Sequence, residues 1–374
     1  MINPMNNKVA VRECREYDYE RVYNLVKEIF EYCKEYDFTG KKVLVKPNIL
    51  MDREPEKCVT THPVVLEAVI RFLQSKGAEV YAGDSPSIHL RGMKPVKSGI
   101  YQVCEKTGVP WVDFTKDPVV KFFSHGKIKV ASIADQVDLI VSLPKFKNHE
   151  LVYFTGAVKN TLGLVPGFTK AKQHALYQNR VSFANFLVSL NEAVLPDFFL
   201  MDGIIGMEGQ GPGQGTPYST GVLIGSSNPL ALDIIATTIA GYNPIDIPTN
   251  SEALRRKKWL NDITEIIYHG PELKSLIKHD FRRIPVTADR NISFKFVSNR
   301  LKFLRKLERR PVFVHDHCTG CKECIRICPV NAISMHSEKN NWVVLTDSKC
   351  IRCFCCSEVC RYHAVEIRRK IVGE

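Results

Sequence analysis

The pattern of apolar and polar positions predicts alternating strands and helices along the first part of the chain. Short apolar or alternating runs at residues 8–14, 42–47 and 79–83 predict strands, while amphipathic runs at 19–36 and 63–76 predict helices, giving the order βαβαβ. Later strands are predicted at 139–143, 198–205 and 222–225, and later helices at 180–194 and 229–241. An α/β domain with a largely parallel sheet is the simplest fold for this order.

Two segments depart from that pattern. Residues 119–131 predict an inserted hairpin. Residues 291–311 are strongly basic and predict a linker between an α/β domain at 1–290 and a small C-terminal domain at 312–374. The linker is either a solvated connecting helix or a docking surface for an acidic protein or for membrane headgroups.

Composition and charge narrow the class of protein. The formal net charge of +12 favours an anionic partner, such as nucleic acid, an acidic protein or a phosphorylated or carboxylated substrate. No apolar run is long enough to cross a bilayer, and the first residues contain no apolar leader segment. We therefore expect a cytoplasmic protein without a membrane span.

The cysteines are concentrated near the C-terminus. The chain contains 13 cysteines, and nine of them lie between Cys318 and Cys360. In a chain without an export signal, such clustering indicates a metal site and not a disulfide framework. The other four, at positions 14, 33, 58 and 104, are scattered and are expected to be small core or surface thiols.

The clustered cysteines repeat one spacing, C-x2-C-x2-C-x3-C. The first run is Cys318, Cys321, Cys324 and Cys328, and the second is Cys350, Cys353, Cys356 and Cys360. This part of the chain resembles bacterial two-cluster ferredoxins, in which the fourth cysteine of each run ligates the other [4Fe-4S] cluster. The resemblance implies a small ferredoxin-like α+β domain with two clusters, one held by residues 318, 321, 324 and 360 and the other by residues 350, 353, 356 and 328.

Two departures and one alternative accompany that interpretation. Arg361 stands where a proline usually follows the fourth cysteine, and Cys355 is an extra thiol that could replace a ligand. The alternative is a pair of zinc sites, since C-x2-C pairs also form zinc ribbons, but zinc sites need pairs of ligands and the third and fourth cysteines of each run would be surplus.

The charge of the C-terminal domain suggests an electron-transfer partner. Residues 312–374 contain nine Lys and Arg against seven Asp and Glu, whereas freely diffusing ferredoxins are typically acidic. We therefore expect a tethered domain that receives an acidic carrier such as a ferredoxin or a flavodoxin.

Cations and amides follow two predicted strands of the α/β domain. Because ligands bind at the carboxyl edge of a parallel sheet, these residues form a candidate anion site. Its predicted ligand-binding residues are Lys46, Asn48, Lys145, Lys147, Lys159 and Asn160. His149 and His174 are candidate proton donors near neutral pH. The alternative is a solvated basic face.

A glycine-rich loop is predicted after residue 202. Asp202 and Glu208 are its candidate acids, and Glu208 is the third candidate catalytic residue. The loop lacks the Gly-Lys-Ser/Thr of a Walker motif and the spacing of a dinucleotide fingerprint. It is therefore an anion-binding nest, a lid, a pocket floor or a plain connecting loop.

Several segments in the same order resemble the domain-of-unknown-function 362 family, many members of which carry a C-terminal two-cluster ferredoxin domain. The matching segments are 42–48, 143–149, 156–167, 202–213 and 226–233. The resemblance implies an α/β core joined to an iron–sulfur module, but no particular reaction and no catalytic residue.

The sequence thus predicts an iron–sulfur oxidoreductase that passes electrons to an anionic substrate or cofactor in the α/β domain. Two other functions remain open. One is a non-catalytic electron-transfer subunit that docks a partner enzyme, and the other is a nucleic-acid binder with structural clusters. The nucleic-acid-binding function has no support beyond charge, since no nucleic-acid-binding motif is present.

Overall fold

The computed structural model describes residues 6–33, 37–85, 94–167, 169–286, 309–337 and 342–369. The strands are β1 Lys8–Glu13, β2 Lys42–Pro47, β3 Glu79–Asp84, β4 Trp111–Asp113, β5 Val119–Phe123, β6 Gly126–Val130, β7 Leu139–Leu143, β8 Lys145–His149, β9 Tyr153–Phe154, β10 Phe198–Glu208, β11 Thr216–Tyr218, β12 Val222–Ser226, β13 Ile267–His269, β14 Arg309–Phe313, β15 Ile333–Met335, β16 Val343–Leu345 and β17 Val365–Arg369. The helices are α1 Tyr19–Cys33, α2 Pro63–Ser75, α3 Ile100–Thr107, α4 Gly156–Asn160, α5 Thr169–Leu176, α6 Arg180–Ala193, α7 Pro229–Ile239, α8 Pro248–Arg256, α9 Leu273–Leu276, α10 Glu323–Ile327 and α11 Cys355–Glu358.

Local sequence signals begin several of these helices. Proline occupies the first turn of α2 and of α7, where its missing N–H costs no helical hydrogen bond. The side chain of Asn228 accepts hydrogen bonds from the backbone of Leu230 and Ala231, which caps α7. Asn179 and Ser182 form a capping box at the start of α6.

The strands of the α/β part form one large sheet. Among the described residues its order is β13-β1-β12-β10-β7-β2-β3-β4. In addition, β8 and β11 pair with β10, and β9 pairs with β8. The β7, β2, β3 and β4 strands are parallel, and β10 is parallel to both β7 and β8. The largely parallel α/β fold is therefore confirmed. The predicted hairpin is also confirmed, as β5 and β6 pair in antiparallel fashion outside the large sheet.

Helices cover both faces of that sheet. Along β2, Val43 and Val45 belong to one apolar core, with α1, α2 and α3, whereas Leu44 belongs to the other, with α6 and α7. Because side chains alternate across a strand, an apolar run such as this one is buried on both faces. The carboxyl ends of β2, β3, β7 and β10 therefore open at one edge between two layers of helices.

Two regions predicted as loops are strands instead. Residues 145–149 form β8, which pairs with β10, and β10 continues through Asp202 to Glu208. The two segments pair with each other, β8 also pairs with β9, and the end of β10 also pairs with β12 and β11, so both are strands despite their polar and glycine-rich sequences. The predicted end of the strand at residue 205 was therefore too early.

The C-terminal part has its own two small sheets. The β14 strand pairs with β17, so that the start and the end of this part lie side by side, and β15 pairs with β16. Residues 309–311 of the predicted linker belong to β14, and its other residues lie outside the described ranges.

The two cysteine runs fold in the same way. Each run carries a short helix, α10 or α11, preceded by a residue in the left-handed conformation, Lys322 with φ 64° and Phe354 with φ 62°. A second matched pair, Asn331 with φ 50° and His363 with φ 53°, follows each fourth cysteine. The turn after Cys360 therefore forms without the usual proline.

Candidate functional site

The C-terminal part contains two cavities, and each is lined by the four cysteines of one predicted set. Cavity A, of about 340 Å³, is lined by the cysteines at 318, 321, 324 and 360. Cavity B, of about 310 Å³, is lined by those at 328, 350, 353 and 356, together with the extra Cys355. Each cavity thus takes three cysteines from one run and the fourth from the other.

This arrangement fits a four-iron cluster better than single metal ions. Four thiolates around a cavity surround a cube, whereas a zinc ion needs its ligands in mutual contact range. Within the described residues, no group of three His, Cys, Asp or Glu side chains is close enough to hold one metal ion. The backbone N–H groups of Ala332 and Ala364 donate to the Sγ atoms of Cys328 and Cys360, at 3.2 and 3.3 Å, as expected for thiolate ligands.

Among the described residues, polar contacts join the two parts of the molecule. The guanidinium of Arg309 donates to both carboxylate oxygens of Glu150, at 2.7 and 3.1 Å. Gln214 donates to Ser357, and Arg53 donates to the carbonyl of Arg361 at 2.9 Å. The C-terminal part therefore packs beside β8 and the loop after β10.

A larger cavity lies at this junction, and we call it the interface pocket. Its open space is about 800 Å³, mouth included. The α/β part contributes Asn48, Ile49, Leu50, Asp84, Lys147, Lys159, Asn160, Leu162, Gly163, Gly167, Lys170, His174 and Pro212, and the C-terminal part contributes Ile327, Cys355, Glu358 and Val359. Its mixture of cationic, amide and apolar side chains is typical of a small-molecule site.

Three lysines line the interface pocket with few partners. Lys147 donates to the carbonyl of Val59 at 2.7 Å, and Lys170 donates to the carbonyl of Ser85. Within the described part of the chain, the ammonium of Lys159 forms no hydrogen bond and no ion pair. Burial lowers the pKa of all three, that of Lys170 to about 8, and the nearby lysines add to the effect.

Glu358 brings a carboxylate of the C-terminal part into this cationic setting. Burial raises its pKa, and the three pocket lysines oppose that rise. Its Oε1 lies 3.3 Å from Nε2 of His149, but neither atom makes a hydrogen bond of good geometry among the described residues. Nδ1 of His149 accepts from the backbone N–H of Leu151 at 3.1 Å, which assigns the ring proton to Nε2.

The two predicted proton donors are neutral at neutral pH. Burial lowers the pKa of His149 well below its usual value and that of His174 to about 3, with Lys159 adding to both shifts. His174 lines the pocket, and its ring stacks on Phe183 at 4.4 Å between centroids. Both histidines therefore favour the neutral form in the ligand-free protein, and their role as proton donors stays a prediction.

Lys46 lies behind the pocket wall. It forms a buried ion pair with Asp84 at 3.0 Å and donates to Oδ1 of Asn160 at 3.2 Å, an oxygen that also accepts from Asn48. A Cβ on Gly163 would lie 2.2 Å from Asp84 Oδ1 and 2.3 Å from Lys46 Nζ. The glycine is therefore required for the close approach of this wall to the ion pair.

The structure does not bring Lys145, Asp202 or Glu208 to the pocket. Lys145 donates to Asp202 at 2.7 Å and to the hydroxyl of Tyr17 at 2.9 Å, in a buried group that we call the Lys145 network. Glu208 accepts from the backbone N–H of Arg282 at 2.8 Å and pairs with its side chain. Each of these groups is paired within the α/β part, and a binding role for Lys145 and a catalytic role for Glu208 stay predictions.

Four lining residues with charged or thiol side chains were not among the predicted site residues. Asp84 ends a strand on which no candidate was placed, and Glu358 lies inside a cysteine run, where spacing predicts only the ligands. Lys170 was recognisable as part of the basic stretch before His174. Cys355 was recognised only as a spare thiol, although it lines both cavity B and the interface pocket.

Comparison with known proteins agrees with this division of the molecule. Residues 43–238 match the model of a family described as Domain of unknown function (DUF362), and residues 317–364 match that of a 4Fe-4S dicluster domain. A thylakoid-associated protein of Synechocystis sp. is 33% identical over 240 residues, which cover 63% of this chain and 74% of that protein. The ferredoxin-type domain supports iron–sulfur electron transfer.

Two solved structures share a more distant likeness. The lactate racemase apoprotein of Thermoanaerobacterium thermosaccharolyticum has 12% identity and a TM-score of 0.41, covering 62% of this chain and 57% of that one. A protein from Thermotoga maritima has 17% identity and a TM-score of 0.36, covering 55% of each chain. This chain thus spans less than two thirds of either structure.

None of the helices in the described ranges combines the length and apolar character needed to span a bilayer. The predicted cytoplasmic location stays a prediction.

Proposed function

The chain belongs to the domain-of-unknown-function 362 family and carries a 4Fe-4S dicluster domain, and from this premise we propose an iron–sulfur oxidoreductase acting on an anion in the interface pocket. In this proposal the cysteines of cavities A and B hold two [4Fe-4S] clusters. When bound, these clusters supply one-electron transfer between an external carrier and the pocket.

The position of Cys355 carries the proposal. Its side chain lines cavity B and also the interface pocket. Among the described residues, cavity A has no lining residue in common with the pocket. In this proposal cavity B therefore faces the substrate, and the thiol of Cys355 lies between cavity B and the interface pocket. Cavity A is then the one available to a carrier.

The surface beside cavity A suits an acidic partner. Cys321 and Lys322 are exposed, and both line this cavity. A carrier such as a ferredoxin or a flavodoxin would reach cavity A there without passing through the α/β part. Attraction between opposite charges would speed the encounter and would weaken as salt rises.

The α/β part holds the substrate. Lys147, Lys159 and Lys170 supply positive charge, and Asn48 and Asn160 supply amide groups beside it. Three buried or partly buried ammonium groups that share the single carboxylate of Glu358 are costly unless a further anion joins them. Binding of an anion would remove that cost, which is the physical reason for assigning the substrate to this class.

Metal analysis of protein purified without oxygen tests the cluster assignment. We expect about eight iron and eight acid-labile sulfide per chain, as two four-iron clusters require. Cys353→Ser should remove about half of both, whereas Cys355→Ser should leave both unchanged. Two zinc ions without sulfide, or a loss of iron in the Cys355 variant equal to that in the Cys353 variant, would contradict the assignment.

Native mass spectrometry of the same preparation tests the oxidoreductase assignment. We expect a co-purifying small anion that is absent from Lys159→Met but present in Lys172→Met, whose substituted lysine is exposed. Adding that anion to dithionite-reduced protein should restore the visible absorbance of the oxidised clusters. A bound anion that leaves the protein reduced would instead indicate a non-catalytic electron-transfer subunit.

A further inference from the structure

The two walls of the interface pocket differ in chemistry. The wall from the α/β part holds the cations Lys147, Lys159 and Lys170. The wall from the C-terminal part consists of Ile327, Cys355 and Val359, with one carboxylate, that of Glu358. A ligand that fills the pocket therefore meets positive charge on one side and a mainly apolar surface on the other.

The cationic wall has more charge than its neighbours neutralise. Asp84 does not neutralise the pocket lysines, because its carboxylate pairs with Lys46. The same carboxylate accepts hydrogen bonds from the backbone N–H groups of Ile49 and Ser85, at 2.7 and 2.9 Å. Glu358 is then the one carboxylate among the described lining residues that remains for the three pocket lysines. Counted at their ordinary charges, the three lysines exceed Glu358 by two positive charges, which a doubly charged anion would balance.

Hydrogen-bonding groups without partners lie beside these charges. Oδ1 of Asn48 and Nδ1 of His174 are buried and have no hydrogen-bond partner among the described residues. Both residues line the pocket. Buried polar atoms are normally satisfied, so these two mark positions where a ligand or its bound water completes the bonding.

Apolar side chains cover much of the remaining surface. Ile49 and Leu162 are 4% and 5% exposed on the α/β side, and Val359 is 3% exposed on the other side. Each methylene buried against such a surface contributes about fourfold in affinity. The pocket therefore selects for an apolar body as well as for a charged head.

We infer that the interface pocket binds an amphipathic small molecule with a doubly charged oxyanion head. The head lies between Lys147, Lys159 and Lys170, and the apolar body extends toward Ile327, Cys355 and Val359. This inference rests on the proposed function in one respect only. The proposed function requires the part of the ligand that is reduced, the apolar body, to face cavity B. The binding itself is independent of electron transfer.

Calorimetry on the oxidised, cluster-loaded protein tests the inference with three simple probes. Hexyl phosphate and hexyl sulfate have the same tail, but at about pH 7.5 the phosphate carries close to two charges and the sulfate one. We expect hexyl phosphate to bind at least tenfold more tightly than hexyl sulfate. Ethyl phosphate should bind more weakly than hexyl phosphate by roughly fourfold for each methylene that the pocket covers.

Two variants assign these effects to the two parts of the ligand. Lys159→Met keeps the length of the side chain, removes its charge and should bring the affinity for hexyl phosphate close to that for hexyl sulfate. Leu162→Ala should reduce the advantage of the longer tail and leave ethyl phosphate unchanged. Lys172→Met on α5 is the matched control and should have no effect, and iron content should match the wild type in all three.

Equal affinities for hexyl phosphate and hexyl sulfate, or full hexyl phosphate binding by Lys159→Met, would overturn the doubly charged head. Equal affinities for ethyl and hexyl phosphate would overturn the apolar body. Because no electron is transferred in this experiment, tight hexyl phosphate binding by a protein that reduces no substrate would refute the proposed function and leave the ligand class standing.

Discussion

Lys145 and Lys147 lie two residues apart on β8, yet their ammonium groups have opposite surroundings. Lys145 is paired with Asp202 at 2.7 Å and bonded to Tyr17, so its charge is balanced within the Lys145 network. Lys147 donates to one carbonyl and faces a cavity that also contains Lys159 and Lys170. The two environments are equally buried, since both lysines have almost no exposed surface.

The difference shows that burial alone does not identify a functional lysine. A buried charge with a carboxylate partner holds the fold together, and removing one partner leaves the other uncompensated. A buried charge that faces a cavity without such a partner is a cost to the folded protein that a ligand can remove. The following substitutions and pH changes test whether the two groups differ in this way.

The largest effect is expected from the Lys145 network. Lys145→Met leaves the Asp202 carboxylate buried without its cation, and we expect the free energy of unfolding to fall by about 3–5 kcal/mol. Urea denaturation of the cluster-loaded protein measures this change. A loss of less than about 1 kcal/mol would place Lys145 with the pocket lysines instead.

Acid should weaken the pocket side of the molecule through His174. Its pKa is about 3 in the folded chain against 6.5 as the ordinary value, so the unfolded chain binds the proton first. Stability is therefore complete above pH 6.5 and falls as the pH drops toward 3, by up to about 1.4 kcal/mol per pH unit for this group. Denaturation midpoints across this range should fall less steeply in His174→Phe.

Alkaline pH should weaken anion binding through Lys170. The pKa of its ammonium is about 8 in the free protein, so the group is charged below that pH and loses its proton above it. Hexyl phosphate is already close to doubly charged at about pH 7.5, so we expect its affinity to be constant from there to about pH 8 and then to fall by as much as tenfold per pH unit. Lys170→Arg keeps its charge and should remove most of this decline.

The smallest effect on stability is expected from Lys159→Met. The substitution removes a charge that has no described protein partner. The free energy of unfolding of the ligand-free protein should therefore change by less than about 1 kcal/mol, and we expect an increase and not a decrease. The same denaturation experiment as for Lys145→Met gives a direct comparison. A loss of 3 kcal/mol or more would show that Lys159 has a structural partner.

The sequence was informative wherever the signal was local. The cysteine spacings predicted which thiols share a cavity, because three ligands of each set lie within seven residues and the fourth follows from the repeat. The strands β1, β2 and β3 were predicted from short apolar runs, with ends correct to within one residue. Both successes depend on residues that are neighbours along the chain.

The site could not be read from the sequence to the same depth. Lys46 and Lys145 resemble Lys147 and Lys159 in their sequence surroundings, but their partners Asp84 and Asp202 stand on other strands, 38 and 57 residues away. Only the folded sheet decides which lysine is paired. Glu358 reaches the pocket from the other part of the chain, and no pattern within either part predicts that contact.

Because the C-terminal part forms one wall of the interface pocket, ligand binding should depend on whether iron is available to the protein. Cys355 and Glu358 stand on α11, between cysteines of the second run, and small metal domains of this kind fold only as their metal binds. A chain made during iron starvation would keep its lysines but lack one side of the binding site. Occupancy by the proposed anion would then follow the supply of iron, even before any electron moves.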